Sequence, residues 1–184
     1  MTIREKFNTE VAEALRKELK LKNIFEVPTI EKVVVNVGIG KFLKDTNIVS
    51  EITESIRMIT GQKPLLTKSK KSIAGFKIRE GLEIGMKVTL RGKRKWDFIE
   101  KLVGTAMPRV RDFQGIKESA VDKGGNLNIG IKEHLIFPEI QPEQVKNIFS
   151  FQVTVVTTAQ DREKGLALFR MLGFPIEKKS VKNQ

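Results

Sequence analysis

Between Thr60 and Lys95 the chain gathers eleven basic side chains: Lys63, Lys68, Lys70, Lys71, Lys77, Arg79, Lys87, Arg91, Lys93, Arg94 and Lys95. Only two acids, Glu80 and Glu83, stand against them. Like charge at this density repels itself unless a polyanion neutralises it, so phosphate binding is the chemistry these residues suit. A solvated surface would account for a charged loop alone. Here the charge runs on from a loop, about 68–83, onto an alternating strand. Other chemistries find few residues. His134 is the only histidine, in KEHLIFPE, and there is no cysteine; a lone histidine without a partner motif reads as structural. Glu118 and Asp122 near Asn126 do not make a calcium-loop pattern. Gly38-Ile39-Gly40 follows a strand, but the third glycine of a dinucleotide fingerprint would fall at Leu43. A P-loop fails as well, because Gly40-Lys41 is followed by Phe42 and position 35 is valine. No catalytic residue, metal site or cofactor is expected, and the protein does not read as an enzyme.

The elements that must position the basic residues follow from the whole chain. At 184 residues it suits one sizeable core, and a single domain is expected. The net charge of +12 points to nucleic acid or an anionic membrane surface. No run of about 18 apolar residues occurs. The first residues, MTIREKFNTE, lack a hydrophobic signal core, which together with the absence of cysteine suits a cytoplasmic protein. Membrane-surface binding would call for a basic amphipathic helix; the cluster sits on a loop and a strand instead, which favours RNA or DNA. No helix-turn-helix or zinc-finger signature is present. Ala74-Gly75-Phe76 only faintly echoes the RNA-recognition octamer, and Phe76 either stacks on a base or tucks inward as a loop anchor.

Periodicity predicts a helix over 3–21, with Phe7, Val11, Leu15 and Leu19 as its stripe. A strand over 32–37 sets Val33, Val35 and Val37 on one face and Lys32, Val34 and Asn36 on the other. A helix over about 46–60 carries Val49, Ile52, Ile56 and Ile59, capped by Gly61. A short β-like run, 64–67, leads into the basic loop. The strand that leaves it, 84–91, turns Ile84, Met86, Val88 and Leu90 one way and Gly85, Lys87, Thr89 and Arg91 the other. A helix over about 95–106 stops at Pro108, and 108–126 reads as irregular. Strands follow at 127–131 and 149–155. A last helix opens with a capping box, Thr157-x-x-Gln160, ends at Gly173, and is followed by a polar tail, about 177–184. Half-apolar strands with intervening helices give an α+β fold: a mainly antiparallel sheet with helices packed on one face. Its other face would carry Asn36, Lys87, Thr89, Arg91, Lys132, Gln152 and Thr154. These are donors and amides without acids, a mixture that suits phosphates, 2′-hydroxyls and base edges.

Six motifs then line up in order: KVVVNVGIG (32–40), TGQKPLLTKSKKSIAGFKIREG (60–81), IGMKVTLRG (84–92), MPRVRDFQGI (107–116), GGNLNIGIKE (124–133) and IFPEI (136–140). They resemble the motifs of bacterial ribosomal protein L5, across essentially the whole chain. The resemblance implies a non-enzymatic structural role in the large ribosomal subunit. There the protein would dock 5S rRNA into the central protuberance beside 23S rRNA and other 5S-binding proteins. It implies 5S rRNA contacts at Asn36, Gln62 and Thr89, with Lys63, Lys87 and Arg91 neutralising phosphates. The basic loop, about Ser72–Gly81, would reach the P-site tRNA, with Lys70, Lys71, Ser72, Phe76, Lys77 and Arg79 as its contacts. Pro108, Arg109, Arg111 and Asp112 would approach a small-subunit head protein of the S13 family across an intersubunit bridge. His134 stands where the family usually has glutamine. A free-standing RNA-binding regulator or RNA chaperone is the alternative that composition alone leaves open.

Overall fold

The computed structural model describes residues 2–42 and 45–177. The expected polar tail lies outside them from residue 178 onward. Five antiparallel strands form one sheet in the order β2-β3-β1-β5-β4. They are β1 (Ile30–Gly38), β2 (Leu65–Lys68), β3 (Glu83–Leu90), β4 (Leu127–Ile131) and β5 (Phe151–Thr157). With helices α1 (Ile3–Lys6), α2 (Ala12–Glu18), α3 (Thr46–Thr60), α4 (Gly92–Lys101) and α5 (Arg162–Met171), the fold is α+β, as the alternation predicts. The chain forms two compact units. One comprises Met1–Val33, Arg91–Ile129 and Thr154–Gln184; the other comprises Val34–Leu90 and Gly130–Val153.

In the first unit the N-terminal helix starts at a capping box. Thr2 Oγ1 accepts the Glu5 N–H (3.3 Å), and Glu5 Oε2 accepts the Thr2 N–H (2.9 Å). The helix runs to Glu18 but widens into a π turn over Phe7–Val11. Val11 and Leu15 are buried, while Phe7 and Leu19 are half-covered; the Phe7 ring lies 5.5 Å from Trp96 on α4. The expected capping box at Thr157 does not form. Thr157 ends β5, where its hydroxyl donates to the Gly125 carbonyl (2.8 Å) and accepts the Ala159 N–H (3.3 Å). The helix begins later, at Arg162, with Asp161 at its N-cap. Gly165 explains why α5 can sit so close to the 122–126 turn: a Cβ there would stand 2.6 Å from the Gly125 carbonyl oxygen.

In the second unit α3 matches its predicted span. Asp45 Oδ1 accepts the Asn47 and Ile48 N–H groups, and Gly61 closes the helix at φ 67°. Ile52, Ile56 and Ile59 are fully buried, and the Thr53 hydroxyl meets Met86 Sδ of β3 at 3.5 Å. Each such buried aliphatic side chain contributes about 1.5–3 kcal/mol. Val35, Val37, Met86, Val88 and Leu90 are likewise buried, so β1 and β3 commit one face to this core. His134 belongs to it too. It is fully buried, its ring stacks on Phe149 at 4.0 Å, and Nδ1 accepts the Phe149 N–H at 3.5 Å.

Candidate nucleic-acid interface

A strand alternates its side chains across the sheet, so burial of one set fixes where the other points. With Val35 and Val37 inside, Asn36 is exposed on the opposite face of β1. With Met86, Val88 and Leu90 inside, Lys87 is exposed and Thr89 half-exposed on that same outer face of β3. Gln62, just after the α3 cap, reaches this face from the side: its Nε2 donates to the Thr89 carbonyl at 3.3 Å. Lys63 next to it is exposed. Asn36, Lys87 and Thr89 therefore share one outer face, with Gln62 bonded to β3 through the Thr89 carbonyl, and all of these together with Lys63 belong to one unit.

Arg91 does not continue that strand. β3 ends at Leu90, and Arg91, extended at φ −132° and ψ 172°, is the N-cap of α4 in the other unit. Its guanidinium reaches Glu31 Oε1 (3.5 Å), which also meets Lys32 Nζ (3.4 Å). Glu31 on β1 is exposed and partly neutralises these two cations. Helix α4 also starts earlier than predicted, so Lys93, Arg94 and Lys95 occupy its first turn. No acid is present there, and positive charge is unfavourable at a helix N-terminus. Lys95 offsets this by donating Nζ to the carbonyls of Ile30 and Glu31. Burial pulls its pKa below the usual lysine value, against the attraction of Glu31. Lys132 lies one residue past β4, and Gln152 and Thr154 lie on β5 as expected.

The register of β2 on β3 pairs Leu65 with Lys87, Leu66 with Met86 and Thr67 with Gly85, then slips at Thr67/Lys68 so that Lys68 faces Glu83. Gly85 is required here: a Cβ would stand 2.8 Å from Thr67 Oγ1 and 3.2 Å from the Val37 carbonyl oxygen. The same register sets Leu65 beside Lys87, 63% exposed, so the outer face carries an apolar side chain that alternation alone did not reveal.

Beyond the slip the basic segment is a hydrogen-bonded finger rather than an open loop. The Ser69 N–H donates to Leu82 O (2.8 Å) and the Gly81 N–H to Ser69 O (2.9 Å). Ile73 and Ile78 exchange both backbone bonds (2.9 and 3.1 Å). Ser69 Oγ donates to Lys71 O (2.7 Å), and Ser72 Oγ accepts the Glu80 N–H (3.0 Å). At the tip, Ala74–Phe76 make one 3₁₀ turn closed by Lys77 at φ 53°. Phe76 is 76% exposed there, so it points outward rather than anchoring the loop from inside. Lys70, Lys71, Ser72, Lys77 and Arg79 are exposed along the finger.

Pro108 and Arg109 sit on a 3₁₀ turn, Met107–Arg109, and Asp112 adopts φ 52°; with Arg111 all four are exposed. The segment after them is tied down where Ile116 N–H donates to Pro175 O (2.7 Å) and Glu177 N–H to Ile116 O (2.9 Å). Among the described residues no group of three or more His, Cys, Asp or Glu side chains is placed to hold a metal ion, and no helix is long and apolar enough to cross a membrane.

Two family models match this chain. Residues 23–79 match ribosomal protein L5, and residues 83–176 match the model of the C-terminus of the same ribosomal family.

Proposed function

The chain therefore belongs to the ribosomal protein L5 family, structural rRNA-binding proteins of the large ribosomal subunit rather than enzymes, and we propose that it binds 5S rRNA through the outer face of β1 and β3. Asn36, Gln62 and Thr89 supply directed hydrogen bonds, while Lys63 and Lys87 neutralise phosphates there; Arg91, at the N-cap of α4 in the other unit, is proposed as a separate phosphate contact. The observation that carries this reading is the convergence of Asn36, Thr89 and Gln62. Two adjacent strands turn Asn36 and Thr89 the same way, and the Gln62 side chain is bonded to the Thr89 backbone. Amides and hydroxyls held by backbone geometry can read 2′-hydroxyls and base edges, which lysines alone cannot.

The finger forms a second, separate surface in this reading. Lys70, Lys71, Lys77 and Arg79 line a pre-bonded projection whose exposed Phe76 suits stacking on a base, and P-site tRNA is its proposed partner. The Pro108–Asp112 turn is the proposed intersubunit contact to a small-subunit head protein of the S13 family. In place, the protein would join 5S rRNA to 23S rRNA in the central protuberance, beside the other 5S-binding proteins.

The test separates the two surfaces. Asn36→Ala and Gln62→Ala should each weaken binding to purified 5S rRNA. Lys70→Ala combined with Lys71→Ala should leave 5S affinity within about twofold and lower tRNA occupancy on reconstituted subunits. A large loss of 5S affinity in the lysine double variant, with none in the amide variants, would reverse the assignment.

A further inference from the structure

The Gln62 side chain can serve the outer face only if its backbone is held still, and one buried hydroxyl does that. Thr60 is the last residue of α3, only 7% exposed. Its Oγ1 lies 2.7 Å from the Ile56 carbonyl oxygen and 3.0 Å from the Gln62 carbonyl oxygen, and it accepts the Gln62 N–H at 3.3 Å. The hydroxyl has one proton to give and two lone pairs to receive with. The two carbonyls compete for that single proton; with it on the nearer one, Ile56, the hydroxyl links the end of α3 to the Gln62 N–H, while Gly61 between them takes φ 67° to turn the chain back. From that fixed point the Gln62 carboxamide spans to the Thr89 carbonyl on β3. A short turn thus couples the helix end to a strand 27 positions beyond Gln62.

We infer that Thr60 is a positioning residue for RNA recognition: its hydroxyl sets where the Gln62 carboxamide stands relative to Thr89 without touching RNA itself. This rests on the assignment of Gln62 to the 5S rRNA site. A threonine near a helix C-terminus ordinarily returns its hydroxyl to the i−4 carbonyl, and Thr60 does so toward Ile56. The additional bond from Gln62 N–H is what makes the hydroxyl a clamp. Valine keeps the β-branched shape and the packing while removing the clamp; serine keeps the hydroxyl and loses one methyl group.

The experiment uses the full chain and purified 5S rRNA, with Thr60→Val, Thr60→Ser, Gln62→Ala and the double variant Thr60→Val/Gln62→Ala. Thr60→Val is expected to weaken binding about three- to tenfold, the size of one modest hydrogen bond, with an unchanged salt slope because no cation is lost. Thr60→Ser should bind like the parent protein. In the Gln62→Ala background, Thr60→Val should add less than about a twofold further loss, since the clamp then has nothing to position. Amide NMR spectra of the free protein give a reading independent of RNA. The Gln62 carboxamide signals should shift in Thr60→Val and stay in place in Thr60→Ser. An equal loss from Thr60→Val in both backgrounds would overturn the inference, and so would unmoved Gln62 signals. Parent-like binding by Gln62→Ala with shifted signals would instead sink the site assignment and take the RNA role of Thr60 with it, leaving a structural clamp only.

Discussion

Replacing Thr89 with valine isolates a single hydroxyl on the proposed 5S rRNA face. Thr89 lies on β3 between buried Val88 and Leu90 and is itself half-exposed on the outer side. Valine is β-branched as threonine is, so the strand conformation is kept. The bond from Gln62 uses the Thr89 carbonyl, which valine also provides. What is lost is the hydroxyl, as donor or acceptor. A neutral hydrogen bond is worth about 0.5–1.5 kcal/mol net and one to a charged group about 1.5–3 kcal/mol. For a half-exposed hydroxyl meeting a 2′-hydroxyl or a phosphate, the expected loss is about 1–2 kcal/mol, or roughly 5- to 30-fold in Kd. Filter binding of labelled 5S rRNA at fixed salt measures it, with a thermal melt to show that the fold is intact. The slope of log Kd against log salt should not change, because no phosphate-neutralising charge is removed. Unchanged affinity would take Thr89 out of the site; a flattened salt slope would mean that the substitution had displaced Lys87 or its neighbours instead.

Two further outcomes follow from the packing. Gly85→Ala would drive a Cβ into Thr67 Oγ1 and the Val37 carbonyl and should cost about 1–3 kcal/mol of stability, read by urea unfolding; a neutral result would show that β2 can move away freely. Burial holds the His134 imidazole below its usual pKa, and protonation would break the bond that Nδ1 accepts from the Phe149 N–H. The unfolded chain then binds the proton more readily, so this contribution is full above about pH 6.5 and is lost as pH falls through the lower folded-state value. His134→Gln should flatten the fall in stability between about pH 7 and 5, and an unchanged slope would relocate the effect. Glu51 and Asp122 act below that window, at about pH 4 and under: partial burial raises their carboxyls, but hydrogen bonds from Lys146 and Asn147 to the first and from Asn126 to the second outweigh it and hold them low.

Where one physical signal dominated, the sequence was enough to place the elements. β1 was legible because Val33, Val35 and Val37 alternate without interruption. α3 was legible because its isoleucine stripe ends at a glycine that must go left-handed. From those two elements the outward direction of Asn36 and the position of Gln62 followed directly. Thr157 shows the opposite case. A threonine three residues before a glutamine resembles a cap, but the hydroxyl was claimed by Gly125, a partner 32 residues away in the chain. The early start of α4 was hidden for a related reason, since Lys93, Arg94 and Lys95 are poor first-turn residues and only the carbonyls of Ile30 and Glu31 make that position acceptable for Lys95. The finger read as a loop because its Ile73–Ile78 pairing is too short to leave a period. Leu65 on the outer face needed the β2–β3 register, which no single strand encodes.

The central claim is that directed hydrogen bonding sits on top of the electrostatics of a chain with net charge +12. Its most direct test is binding to 5S rRNA and to an unrelated RNA of similar length across a salt series. 5S rRNA should bind far more tightly, and the ratio should persist as salt rises, because bonds from Asn36, Gln62 and Thr89 are not released with counterions. If both RNAs bind alike and fall together, by roughly 10³–10⁵-fold between 50 and 200 mM salt for about 6–10 phosphate contacts, the protein is a general polyanion binder and the proposed recognition face is wrong.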